Sequence, residues 1–555
     1  MNRISTTLVL LALPAALVAQ QKQNPLKYPA KPTVAAITPA DLMSRLYVFA
    51  DDSMMGRNAG TVYHDKGVEY IGREVARLKL KPGGDNGTFF QRIPLMMRGL
   101  AQGTKFTVDG HDYVPGADIL PRDASVFGAD ARELQGATAI YGGVFGDSAM
   151  IKPDVAAGKV VVFTVPRGWQ ANRGALTQRY VMAAGLVVAT LDSMPEETRK
   201  SLAQPAPTMV GAPRMLQVPV FFYSTHAMAE AMLGAPLAGL APGTTGKTVT
   251  GSLKYAETPA PGSRNVIAIL PGSDPKLAGQ YVAIGAHSDH VGFDSAPVDH
   301  DSLYAFYHVV RPGGADDGNK PATPGDWPKV MAKLDSLRKL HTPRQDSIYN
   351  GADDDGSGSM GLLEVAEAFA TAKDKPKRSM LFIWHVGEEE GLWGSEYFTD
   401  NPTVPRDSIT TEINIDMIGR GGAQDTPGGG PGHLELIGSR RLSTELGDLV
   451  EVEGKKFTST PFKFDYQYDA NGHPQQYYCR SDHYSYARYG IPIVFLSTGG
   501  HPEYHQVTDE PQYIDYDQFA LVSQLVFNTA KTVANMDHRL VVDKPKPDPK
   551  GQCRQ

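Results

Sequence analysis

Only two cysteines, Cys479 and Cys553, occur among 555 residues. That scarcity excludes a disulfide framework and any cysteine-based zinc site, so a metal here must rest on histidine and carboxylate. The two thiols would be able to pair in an oxidising compartment, but Cys553 lies in the terminal tail, and the expectation is that they stay apart. An excess of basic charge is missing as well. The 54 Lys+Arg stand against 61 Asp+Glu, giving a formal net charge of -7. A dedicated nucleic-acid binder carries a basic face, so no nucleic-acid partner is expected. No apolar run reaches the about 20 residues that cross a bilayer. The nearest, Leu8 to Val18, follows Arg3, is broken by Pro14 and leads into small residues with a plausible cut between Ala19 and Gln20. This is the pattern of a removable export signal. An exported protein, periplasmic or extracellular and without a membrane span, is therefore expected.

What is present points to a large folded chain. With 41% hydrophobic and 21% charged residues there is material for a packed core, and disorder is excluded as the overall state. At roughly 150 residues per domain the length allows up to four units. The 57 glycines and 41 prolines foretell many turns. After residues 1 to 19, Thr38-Pro39-Ala40-Asp41 opens a helix as caps do. A second helix fits residues 63 to 78, where Val68, Ile71, Val75 and Leu78 recur at three and four. Residues 20 to 97 are read as one unit with the later α/β region, opening on a Pro-rich lead. The stretch from 98 to 258 has short β-rich runs such as "KVVVFTV" and "GLVVATL" separated by Gly, Pro and Asp, and reads as a smaller β-rich insert. From 259 to 540 strands alternate with helical patterns, as in an open α/β sheet. Residues 541 to 555 read as a frayed tail.

Four apolar strands in this last region each end in metal-type ligands. "YVAIGAHSDH" carries His287 and Asp289, and "SMLFIWHVGEEEG" carries Glu388 and Glu389. "EINIDMIG" carries Asp416, and "IPIVFLSTGGHPEYH" carries His505. Between the first two, "NGADDDGSGSMGLLEVAEAF" sets three aspartates before a helix. Open α/β sheets bind ligands at the carboxyl ends of their strands, so acids and histidines delivered repeatedly to that edge form a coherent pattern. A pair of divalent cations about 3.5–4 Å apart needs a carboxylate between them, and imidazole favours zinc over magnesium. One further carboxylate must take the proton of the attacking water. Singly, each piece has an ordinary reading: an Asp run caps a turn, a Glu run is an exposed face, a lone histidine is a surface residue. The spacing of a calcium EF-hand is not met. "GGADDG" (313 to 318) resembles the Asp cluster but lacks the Ser-Gly and apolar helix that follow Asp355, so it is set aside, as are His290, His300 and His385.

Taken in order, "GAHSDHVG", "NGADDDGSG", "GEEEGLWGS", "NIDMIGR" and "EYHQVTDEP" resemble the co-catalytic zinc aminopeptidases of metallopeptidase family twenty-eight. The resemblance covers about residues 38 to 97 and 259 to 540, and the segment between resembles a protease-associated domain. It implies a mixed open sheet flanked by helices on both faces. It also implies two zinc ions per chain, one on His287, Asp354 and Asp416 and the other on Asp354, Glu389 and His505. Asp354 would bridge and be followed by a cis peptide to Asp355. Glu388 would be the general base, Asp289 would orient His287, and Tyr504 is similar to a tyrosine that donates to the oxyanion. Arg480-Ser481-Asp482-His483 matches a segment lining the substrate pocket. The implied substrates are peptides with a free amino terminus. A carboxypeptidase or glutaminyl cyclase on the same scaffold, or a receptor-like binding protein, are the alternatives. One departure stands out: His287 and Asp354 lie 67 positions apart, and the insertion, roughly 295 to 349, is expected to cover the active-site edge.

Overall fold

The computed structural model describes residues 24–121, 131–166, 176–177, 179–210, 219–260, 262–318, 320–426, 428–551 and 553–555. The export signal read at 1 to 19 lies outside them. Seven strands carry the part that positions the site. They are β1 (Ser263–Leu270), β2 (Tyr281–His287), β3 (Ser379–His385), β4 (Ile409–Ile415), β5 (His433–Ile437), β6 (Lys463–Asp465) and β7 (Ile493–Ser497). They lie in the order β1-β3-β2-β4-β7-β5-β6, with the short strands Lys81–Pro82 and Phe90–Ile93 both pairing with β1. The neighbours β3, β2, β4 and β7 run parallel, whereas β1 and β5 are antiparallel to theirs. The sheet is therefore mixed. Because the four central strands point the same way, their carboxyl ends meet at one edge.

Strand periodicity of two sends alternate side chains to opposite faces. On β3, Met380, Phe382 and Trp384 enter one core with Leu42, Leu46, Val68, Leu363 and Phe519. Leu381 and Ile383 enter the other, with Phe398, Ile437 and Tyr486. Helices that roof the first core include α1 (Pro39–Phe49), α2 (Val62–Arg77), α3 (Gly358–Thr371) and α4 (Tyr516–Asn535), with Leu446 and Val450 of a further helix, Thr444–Gly454. Thr38 caps α1 as its sequence indicates, its side chain accepting from the Asp41 N–H. A second sheet of ten strands, drawn from residues 95 to 259, has cores of its own around Val162 and Phe222 and around Val161 and Phe221.

The inserted segment is ordered. Strands Phe293–Asp299 and Gln345–Ile348 pair with each other, and helices His300–Val310 and Trp327–Leu337 share a small core at Ala305, Val310 and Val330. Its tether is ionic: His300 Nε2 lies 2.8 Å from Glu510 Oε2, and Arg344 pairs with the same carboxylate and with Asp346. That guanidinium fills the place a cation would take among His300, Asp346 and Glu510.

One expectation is corrected. Cys479 and Cys553 form a disulfide, with Cα atoms 5.8 Å apart. The tail is held back against the body rather than frayed, as Gln555 Oε1 accepts the Tyr478 N–H and its Nε2 donates to Tyr468 O. A position near the chain end carries no information about where that end packs.

The helix that opens the chain's structured part is locked onto the one that carries the aspartates. Arg45 of α1, 1% exposed, donates to Glu364 Oε2 of α3 at 2.8 Å and pairs also with Glu367 and Glu74. Burial pushes the Glu364 carboxyl up to about 7 despite the opposing charge of Arg45. Arg45→Met leaves buried acids without their cation and should cost about 3–5 kcal/mol of stability in denaturant titration. The loss should shrink at acidic pH, where those acids protonate. An undiminished loss there would show that packing, not charge, holds the joint.

Candidate metal centre

Parallel register places His287, the last residue of β2, beside His385, the last of β3. The β3 turn then delivers Glu388 and Glu389, β4 delivers Asp416 one residue past its end, and the loop after β7 brings back His505. The three aspartates before α3 take three different jobs. Asp355 accepts backbone N–H groups from His287 (3.0 Å), Gly358 (2.8 Å) and Met417 (3.1 Å), so its carboxylate is spent on holding three loops together. Asp353 accepts from the Gly419 N–H at 2.7 Å and lies 3.2 Å from His501 Nε2. Asp354, with its backbone N–H held by Asp509, is left free to present both carboxylate oxygens. The Asp354–Asp355 peptide is cis.

Those two oxygens face different partners. Asp354 Oδ1 is 3.1 Å from His287 Nε2, which is itself 3.7 Å from Asp416 Oδ1. Asp354 Oδ2 is 2.9 Å from His505 Nε2, which is 3.0 Å from Glu389 Oε2. Neither imidazole Nε2 makes a hydrogen bond with acceptable geometry, although both are buried atoms. Two ligand atoms about 2.0–2.2 Å from one tetrahedral zinc stand about 3.3–3.6 Å apart. Close, non-bonded donors on either side of one carboxylate therefore fit two ion positions that share Asp354.

The surrounding contacts orient the ligands. Ser481 donates to Asp416 Oδ2 at 2.8 Å and accepts from Asn414. His287 Nδ1 lies 3.1 Å from the backbone oxygen of Asp289, not from its carboxylate, which is 3.8 Å away. The Asp289 carboxylate instead accepts the N–H of Gly387 at 2.7 Å and of Glu388 at 3.3 Å. This amends the expected carboxylate–imidazole pair: the strand end turns so sharply that the main chain reaches the ring first. His290, set aside in the sequence, belongs here: its Nδ1 is 2.7 Å from Glu389 Oε1, and it clusters with Asp354, Glu389 and His505. The signal was its place in the same motif, three residues past His287, beyond the strand end.

Charge is concentrated to a degree only pairing can sustain. Burial opposes the ionised form of Asp354, but His287 and His505 beside it hold its carboxyl well below the usual carboxylate range. Burial likewise opposes protonation of His287, and Asp416, Asp289 and Asp354 reverse that and raise it well above the usual imidazole value. Glu388 has no such partner. Burial raises it well above the carboxylate range, His287 opposing and Asp416 and Glu389 adding to the shift. Glu388 lines the same cavity as Asp354, Asp416, Ser481 and Tyr504. The Tyr504 hydroxyl accepts from Arg480 at 2.9 Å.

Residues 265–530 match the model of Peptidase family M28. Among curated proteins it is similar to Aminopeptidase Y of Saccharomyces cerevisiae, 26% identical over 197 residues, which is 33% of this chain and 34% of that protein. It is also similar to Leupeptin-inactivating enzyme 1 of Streptomyces exfoliatus, 42% identical over 97 residues, 17% of this chain and 22% of that one. These alignments span about a third or less of the relatives' lengths. A zinc aminopeptidase from Bacillus subtilis superposes with a TM-score of 0.49 at 16% identity, covering 91% of this chain and 98% of that chain.

Behind the aspartate turn, His501 is clamped by Asp353 and by Glu503, which also receives Arg420 Nη2 at 2.7 Å. Burial and Arg420 lower the His501 pKa, but Asp353 and Glu503 outweigh them and set it at about 10. A folded-state value above the unfolded one, near 6.5, gives stability that is fully present below that pH and is gone above about 10. The stability gap between wild type and His501→Gln should therefore narrow steadily from pH 7 to 10.5 in denaturant titrations. A constant gap would refute the charged clamp.

Proposed function

We propose that the protein is an exported di-zinc aminopeptidase. The observation that carries this reading is Asp354, with one oxygen beside His287 and Asp416 and the other beside Glu389 and His505. His287, Asp354 and Asp416 would hold one zinc, and Asp354, Glu389 and His505 the other. Two zinc ions there would supply Lewis acidity and lower the pKa of bound water. Glu388, the carboxylate without a ligand partner, takes the proton of the attacking water and passes it to the leaving amine. Asp289 fixes the turn that carries Glu388 through the Gly387 and Glu388 N–H groups. The Tyr504 hydroxyl, already fed a hydrogen bond by Arg480, donates toward the oxyanion of the attacked carbonyl. The substrate's free amino terminus sits against the site's carboxylates.

Release from the amino end is favoured over a carboxypeptidase reading by the state of Arg480. It is the sole lysine or arginine among the described residues lining the cavity, and Asp316 from the inserted segment takes its charge at 3.0 Å. The name Aminopeptidase Y borne by a relative points the same way. The insertion, reaching the cavity through Asp316, restricts substrates to short peptides. Among the described residues no helix is long and apolar enough to cross a membrane.

Glu388→Ala should keep its zinc by elemental analysis yet lose turnover of aminoacyl p-nitroanilides by about 10²-fold or more, and activity in the metal-loaded variant would exclude Glu388 as the base. Asp354→Ala should lose metal from both positions rather than one. Removal of residues 300–345 should raise cleavage of decapeptides relative to dipeptides, and an unchanged ratio would remove the insertion from substrate selection.

A further inference from the structure

The cavity beside the ligands is also lined by Ser497, Gly499 and Gly500, and an acid without a partner stands behind them. Glu435 on β5 is the cross-strand neighbour of Ser497 on β7, so the two side chains leave the sheet on the same face. Its carboxylate fills the place a side chain at 499 would take: a Cβ on Gly499 would meet Glu435 Oε1 at 2.4 Å. Gly499 has φ +85°, so both the backbone and the close approach require glycine.

Glu435 is 1% exposed, and among the described residues neither of its oxygens has a hydrogen-bond partner. His433 Nε2 is 4.0 Å from Glu435 Oε1, and burial lowers the pKa of that ring, so it does not supply a cation. A second acid, Asp316, accepts the Tyr477 hydroxyl at 2.8 Å and lies 3.9 Å from the place of a Cβ on Gly500. Arg480 is engaged by Asp316 and Tyr504, which leaves Glu435 uncompensated. Burial, with Asp465 and Asp316 adding to it, pushes the Glu435 carboxyl well above the usual range. A buried acid held this way is costly unless a cation arrives.

We infer that Glu435, behind Gly499, makes this cavity selective for a cationic side chain, lysine or arginine, on the first residue of the substrate. The inference rests on the aminopeptidase reading above and adds the substrate class. Glu435 acts as a specificity-determining residue, since it reads the side chain and does not touch the scissile bond. A methylene-matched neutral side chain would reach the same place but leave the acid unpaired, and such a mismatch discriminates strongly.

The test uses the full-length, zinc-loaded protein with lysine p-nitroanilide and its Nε-acetyl-lysine counterpart, which share a stem but differ in charge. The kcat/KM ratio should favour lysine by about tenfold or more, and Glu435→Gln should bring the ratio toward one. A wild-type ratio near one, or a ratio unmoved in a folded Glu435→Gln protein, overturns the inference while leaving the aminopeptidase reading intact. Should Glu435→Gln fail to fold, the wild-type ratio alone decides. If no aminoacyl anilide is turned over, that reading fails instead, and calorimetric binding of L-lysinamide against L-norleucinamide still reads the pocket: equal affinity overturns the inference.

Discussion

The molecule is organised around a carboxylate that serves two sides at once. Asp354 can do so because its neighbours relieve it of every other duty. Asp353 ties the turn to Gly419 and His501, Asp355 collects three backbone N–H groups, and Asp509 holds the main chain of the turn itself. Acids packed this tightly repel one another in a site shielded from water, where charge is screened least. The imidazoles and the proposed cations are what make the cluster tolerable, and the helices roofing the sheet keep it from opening.

The same economy of charge runs outward from the centre. His501, Glu503 and Arg420 form a second ring behind the aspartates, and Arg45 joins the first helix to the one that begins at them. The inserted segment is attached by His300 and Arg344 to Glu510, five residues beyond His505, and it places Asp316 against Arg480. A piece of chain that looks peripheral in the linear order thus touches both the loop of a ligand and the wall of the cavity.

Much of this was legible residue by residue. The apolar run ending in His287, the Trp384 strand ending near Glu388 and Glu389, and the Asp run before an apolar helix all announce themselves, because strand alternation and abrupt polarity are local properties. His290 was marked only by its place in the His287 motif, which does not separate a histidine that steadies Glu389 from one on a surface. "GGADDG" was set aside as a decoy for the metal, yet its Asp316 pairs with Arg480 on the cavity wall. Glu435 sits in "HLELIG" as an ordinary strand residue, and only its pairing with β7 brings it behind Gly499.

Alternation, capping and the order of acidic motifs determined by themselves that a sheet would carry histidines and acids to one edge. Those signals act over a few residues, within reach of a single strand or helical turn. Which oxygen faces which imidazole, that Cys479 and Cys553 meet, and that Asp316 of the inserted loop and the buried Glu435 stand beside Gly500 and Gly499 were decided only in three dimensions. Each depends on elements dozens to hundreds of residues apart being pressed together by the burial of the two cores, and no local pattern encodes that meeting.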